Sequence, residues 1–119
     1  MFQSFEDLEV WKISCQLAVY VYEQLRQSTD FALRDQMQRA AVSVASNIAE
    51  GYERSDKEFS RFLAISRGSS SELRTQAYIA NKIGTITDDA RTHIVEETKR
   101  INRMLYSLAK SRSASSSET

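Results

Sequence analysis

Proline is absent from the 119 residues, and glycine occurs only three times. The two strongest helix breakers are nearly missing, a composition that suits long helices. Cysteine occurs once, as Cys15, which excludes an internal disulfide and fits a reducing compartment. Net charge is also lacking, with 16 Lys and Arg against 16 Asp and Glu. A dedicated DNA-wrapping protein is clearly basic, so any nucleic-acid contact here needs a local basic patch. No stretch approaches the ~20 apolar residues of a membrane span. The start, MFQSFEDLEV, is acidic and lacks the basic and apolar regions of a signal peptide. A cytoplasmic location and no membrane partner are expected by elimination. What is present is ordinary for a globular chain: 41% hydrophobic and 27% charged residues. A single domain of this length buries roughly two-thirds of its unfolded surface and needs no metal or disulfide staple.

Apolar residues recur at steps of three and four, and no strand-like alternation competes with them. On helix 1, Leu8, Trp11, Cys15, Ala18, Tyr22 and Leu25 form the expected core seam, and Ser4 with Asp7 reads as an N-terminal cap. Helix 2 carries Leu33, Met37, Ala40 and Val44 and should stop near Gly51, a residue suited to a helix C-terminus. Ser55 and Glu58 form a capping box for helix 3, whose face is Phe59, Phe62, Leu63, Leu73, Ala77, Ala80 and Ile83. Its centre, residues 66–71, is rich in serine and poor in helix formers, yet the apolar phase is the same on both sides, which predicts a continuous helix. Thr87 caps helix 4, with Ile94, Thr98, Ile101, Leu105 and Leu108 as its seam. The predicted helices span about 5–27, 31–51, 56–83 and 88–110. Short connections between long helices make neighbours antiparallel. The predicted fold is an all-α, up-and-down four-helix bundle over 1–110, with a disordered serine-rich tail at 111–119.

Catalytic chemistry has little to build on. His93 is the only histidine, with Asp89 one turn before it as an ordinary i,i+4 neighbour. It has no second histidine or cysteine at metal-ligand spacing, and the Glu-x-x-His pair of di-iron bundles is missing. Cys15 has no adjacent base and reads as a structural thiol. Gly68 stands alone, without a phosphate-cradling loop. No enzyme activity, cofactor or metal is expected.

Three other features carry more information. Gln36, Arg39, Ser43, Asn47, Glu50 and Arg54 make a polar stripe along helix 2. It reads as an interhelical network with a solvated Glu50–Arg54 pair, or alternatively as a ligand face. Asn47 continues the Val44 seam, so it should be mostly buried and bonded to another helix, with Trp11 opposite it. Basic residues gather in two groups, Arg54, Lys57 and Arg61 early in helix 3 and Lys99, Arg100 and Arg103 late in helix 4. An antiparallel arrangement brings these candidate nucleic-acid contacts towards one end, although Glu53, Asp56, Glu58 and Glu96 interleave with them and favour a mixed solvated surface. The small residues of helix 3 allow close helix approach, with ligand binding as the alternative.

The segment 39–54, RAAVSVASNIAEGYER, resembles a known family signature. So do 59–69, FSRFLAISRGS, the pair Glu72-Leu73, and FEDLEVW at 5–11. Together they resemble the four-helix-bundle proteins encoded in intervening sequences of bacterial 23S ribosomal RNA genes, and the likeness covers all but the serine tail. Two departures are visible. The family's proline-containing turn between helices 1 and 2 is Ser28-Thr29-Asp30-Phe31 here, and a frequent alanine in helix 3 is Ser66. The resemblance implies an antiparallel bundle, a ring-like homopentamer, no known enzymatic activity, and a link to ribosomal RNA through gene position.

The residues themselves also speak for self-association. Helix 1 carries a second apolar stripe, Val10, Ile13, Leu17 and Tyr20 with Val21 beside it, and helix 2 repeats it with Val42, Ala45, Ala49 and Tyr52. A helix apolar nearly all round is buried on nearly all sides, so this second stripe is expected to form a subunit interface. The resulting reading is an oligomeric, non-enzymatic scaffold, associated by resemblance with RNA or an RNA-handling partner. A protein–protein adaptor without nucleic acid is the rival in its class, and a metal-dependent or hydrolytic bundle the rival from outside it.

Overall fold

Ser4 caps the first turn of the chain, accepting the Glu6 amide while Asp7 receives the Ser4 backbone N–H. This turn, Phe5–Asp7, is a 3-10 helix. Leu8 then adopts an extended conformation, so the first α-helix begins only at Glu9. The computed structural model describes residues 4–117 and contains α1 (Glu9–Gln24), α2 (Phe31–Tyr52), α3 (Asp56–Lys82) and α4 (Asp88–Ser117). Neighbours α1–α2, α2–α3, α3–α4 and α4–α1 pack together, which is the cyclic order of a four-helix bundle. The body is elongated, with extents of 52 × 21 × 19 Å.

The starts of α2, α3 and α4 are capped by side chains, whereas Leu8 at the start of α1 offers none. Asp30 accepts from the Leu33 amide, Ser55 from Glu58, and Thr87 from Ala90, each satisfying a donor that the first turn leaves free. Gly84 closes α3 with a left-handed φ of 86°, the conformation for which glycine is suited at a helix end.

Gly51 does something other than end a helix. It lies inside α2, buried, and has no left-handed φ. A Cβ at this position would sit 2.5 Å from Phe62 Cβ and 3.1 Å from Phe59 Cδ1. Its missing side chain lets the end of α2 close onto the start of α3 over two buried rings.

α3 is unbroken through its serines, and those serines join it to both neighbours. Ser66 donates to the Val44 carbonyl of α2 at 2.6 Å, and Ser70 to the Thr98 carbonyl of α4 at 3.2 Å. Both are fully buried. Small hydroxyls at these levels allow the backbones to approach and keep their own buried oxygens hydrogen-bonded. Ser66, where the family pattern has alanine, thus adds a bond between helices.

All four helices differ at a boundary from the expected spans, α2 by the single residue Tyr52. α1 is shorter than 5–27, because Leu8 interrupts the helix and Leu25 ends it. Ile83 is the C-cap of α3 and is exposed, whereas the face expected of it is otherwise buried. α4 continues to Ser117, past the boundary at 110. Arg112 accounts for part of that extension: its guanidinium donates to Asp56 at 2.8 Å and lies 4.6 Å from the Phe59 ring centroid. Serine content alone pointed to disorder, but a helix already packed against α3 carries its last turns onward. Residues 118–119 of the expected tail lie outside the described residues.

The main correction concerns α1. Val10, Ile13, Leu17 and Val21, expected at a subunit interface, face the core of the bundle, each with 4% exposure or less. Trp11, Cys15 and Ala18, expected in the core, are half-buried, and Tyr22 is exposed. Leu25 continues the inward row. The inward row is aliphatic, whereas Trp11 and Tyr22 carry N–H and O–H groups that need partners when buried. Ser14 shares the inward face by donating to the Val10 carbonyl at 2.7 Å. Tyr20 lies at the edge, its ring 4.3 Å from the His93 ring of α4.

Candidate functional surfaces

The cyclic order of the helices gives the bundle four sides, with the α1–α2 side opposite the α3–α4 side. These two sides differ in chemistry.

On the α1–α2 side the outward row of α1 meets α2. Phe5, Trp11, Cys15 and Ala18 line an open apolar groove of about 370 Å³ with Val42 and Ala49. Val42 is 42% exposed, and Tyr22 and Val19 continue apolar surface beyond the groove. Trp11 packs edge-on against Phe5, with ring centroids 5.3 Å apart, and so forms the groove wall. Burial raises the Cys15 thiol above its ordinary range, as expected of a mostly apolar setting. The α2 residues expected at a subunit interface divide between this groove and α3. Val42, Ala45 and Ala49 flank the groove, while Tyr52 turns edge-on to Phe59 of α3 at 5.8 Å.

The polar stripe of α2 lies towards α3. Ser43 Oγ and Ser69 Oγ are 2.9 Å apart, and Asn47 Nδ2 donates to the Ser43 carbonyl and hydroxyl at 2.9 Å each. Asn47 is therefore half-buried and bonded within its own helix; it reaches α3 only through Ser43. No Trp11–Asn47 bond forms, because Ile48 takes the buried seam position and Trp11 faces the outer groove. Gln36 and Arg39 are exposed, and Glu50 pairs with Arg54 at 3.5 Å. This is an interhelical network with a solvated ion pair at its end.

The two basic groups are only partly engaged by other side chains. Arg54 and Arg61 flank the Phe62 ring, with guanidinium carbons 5.0 and 4.7 Å from its centroid. Arg61 also pairs with Glu58 at 2.9 Å, and Arg100 with Glu97 at 3.8 Å. These cations cover an aromatic ring or answer a carboxylate. Lys57, Lys99 and Arg103 are exposed.

A second cluster, around Tyr106, escaped the sequence reading apart from Arg103. Tyr106 of α4 is 60% exposed, and the Arg67 guanidinium of α3 lies 5.8 Å from its ring centroid. Open depressions adjoin it, one with Ser60 and Lys110, the other with Asn102 and Arg103, and both include Arg67. Arg67 and Tyr106 are far apart in sequence, and only antiparallel packing of α3 on α4 joins them. Residues at 99, 103, 106 and 110 share one helical face, a signal available in principle.

A family model described as 23S rRNA-intervening sequence protein matches residues 6–107. Among solved structures, the chain is similar to a protein of unknown function from the S23 ribosomal protein family of Bacteroides thetaiotaomicron VPI-5482. That likeness has a TM-score of 0.79 at 24% identity and covers 85% of this chain and 98% of that one. At this identity it bears on the fold alone. No curated protein matches the chain.

Proposed function

The chain belongs to the 23S rRNA-intervening sequence protein family, and from that premise we propose that it is a non-enzymatic scaffold. It associates with further copies of itself through the α1–α2 side and serves RNA or an RNA-handling partner. The observation that carries the proposal is the apolar groove between Trp11, Ala18, Val42 and Ala49. Single exposed apolar residues are normal, but a contiguous strip along two helices marks an interaction surface. A closed ring is consistent with a single-sided apolar strip when a second, different surface of the neighbour meets it.

The RNA association rests on the family description and on the chemistry of the opposite side. The non-enzymatic reading is supported by the settings of the two reactive side chains. His93 is exposed with its ring against Tyr20, and the Cys15 thiol is pushed up by burial, away from the reactive thiolate.

Light scattering of the unmodified protein at tens of micromolar tests self-association. The expected result is a mass well above 13.6 kDa. Ala18→Glu with Val42→Glu should return it to the monomer with helicity intact, since both positions face the groove. A monomeric unmodified protein overturns the proposal.

A further inference from the structure

We infer that the α3–α4 side binds single-stranded nucleic acid, with a base stacked on Tyr106 and backbone phosphates held by Arg67, Arg103 and Lys110. The inference rests on the scaffold reading only in that self-association through α1–α2 leaves this opposite side uncovered.

Three observations carry it. The first is charge. The α3 row Ser60, Ala64, Arg67, Ser71, Arg74 and the facing α4 row Lys99, Arg103, Tyr106, Lys110 contain no carboxylate. Carboxylates lie at the ends or beside them: Asp56 at one end bonds Arg112, exposed Glu96 stands one turn before Lys99 at the other end, and Glu97 pairs with Arg100. On a chain of zero net charge, such a strip is a local positive field. It is ~16 Å long from Lys99 to Lys110, enough for a few nucleotides.

The second is the ring. Tyr106 offers a solvent-facing aromatic surface, and Arg67 stands beside it. An unpaired base has a π-face for such a ring, whereas a duplex keeps its bases stacked inside. The combination of an exposed ring and a cationic groove therefore selects single strands.

The third is an unfinished hydrogen bond. Arg67 Nη1 is shielded from water and has no hydrogen-bond partner, and neither does Asn102 Oδ1 in the neighbouring depression. A shielded guanidinium donor without an acceptor is unfavourable, and turning the half-buried Arg67 side chain outward lets a phosphate oxygen in the groove satisfy it with a charge-assisted bond. The Asn102 carbonyl oxygen has the matching capacity for a base or ribose donor. Its amide is held by donation to Ser71 Oγ at 3.2 Å.

The test is fluorescence anisotropy of a labelled ten-nucleotide oligouridylate with the full chain. Binding is expected at 50 mM salt. With three or four phosphate contacts it should weaken by roughly 20–50-fold at 200 mM. Tyr106→Ala should weaken it by roughly 5–150-fold, the loss of one stacked base, while Tyr106→Phe retains it. Arg103→Gln and Lys110→Gln should each lower affinity and flatten the salt dependence. All three positions changed are on the surface, and circular dichroism with light-scattering mass confirms that fold and assembly persist. No binding at low salt overturns the inference. Equal binding by Tyr106→Ala overturns it in favour of plain polyanion adsorption, equal affinity for duplex RNA in favour of a backbone-only site, and equal competition by polyglutamate in favour of an acidic protein partner. Failure of self-association would appear in the mass measurement alone and leaves this readout independent.

Discussion

Replacing Gly51 by alanine should destabilise the bundle, although the same change in a helix ordinarily stabilises. An alanine inside a helix gains about 1 kcal/mol over glycine from backbone entropy and propensity. At Gly51 the added methyl meets Phe62 Cβ at 2.5 Å and Phe59 Cδ1 at 3.1 Å, where carbon atoms prefer ~3.5–4.0 Å. Phe62 Cβ is fixed to its backbone and cannot rotate away. Relief requires moving α2 against α3 by ~1 Å, across a turn of three residues, Glu53 to Ser55. Overpacking of this kind costs about 1–3 kcal/mol, and the rigidity of the contact places it in the upper half of that range. The net loss is about 1–2 kcal/mol, or a melting temperature lower by roughly 3–10 °C for a domain of this size. Gly68 supplies the internal control. It lies exposed within α3 and nothing stands within 4 Å of an added Cβ. Gly68→Ala should raise the melting temperature by roughly 2–5 °C through the same propensity gain. Thermal melts followed by circular dichroism measure both, at one fixed protein concentration because self-association makes the midpoint concentration-dependent. A Gly51→Ala protein that melts at or above the unmodified one refutes the close-approach argument.

Ile13→Glu with Leu17→Glu should abolish helicity and not merely assembly, because both side chains are core residues at 3% exposure; a folded monomer would contradict the inward orientation of that row. Ser66→Ala should cost about 1 kcal/mol by removing the bond to the Val44 carbonyl, and Ser66→Val more, read by urea denaturation; equal stability of all three would argue against a hydroxyl link between helices. Truncation after Lys110 should lower stability by about 1 kcal/mol through loss of Arg112 from Asp56 and the Phe59 ring, and an unchanged melt would show that the last turns of α4 contribute nothing. Both Cys15 and Tyr20 have raised pKa values, the first through burial, the second through burial and then the Asp89 carboxylate. The folded chain thus holds these protons more tightly than the unfolded one. Their contribution is complete below the ordinary thiol and phenol ranges and is lost as pH rises through the raised values. Cys15 should accordingly react with iodoacetamide more slowly at pH 8 than the thiol of the urea-unfolded chain, and equal rates would exclude the shift.

The sequence by itself determined the fold. Caps at Ser4, Ser55 and Thr87, apolar steps of three and four, and the absence of proline are local signals, and each acts within one or two helical turns. For the same reason it located α2, α3 and the seams of α2 and α4 closely. It also supplied the family signature. What it could not decide was which of two apolar stripes on α1 faces inward, because both satisfy helical periodicity equally well. Only packing chose between them, burying the aliphatic row and leaving Trp11 at the outer groove and Tyr22 exposed beyond it. The setting of Asn47 and the packing role of Gly51, which does lie where α2 ends, were beyond it for a related reason. Ile48 takes the buried seam position and Asn47 bonds Ser43 of its own helix, while the close neighbours of Gly51, Phe59 and Phe62, arrive from across the α2–α3 turn. The pairing of Arg67 with Tyr106 is the furthest from local information. It joins residues of two helices through their antiparallel level, and a level between helices is a property of the tertiary structure alone.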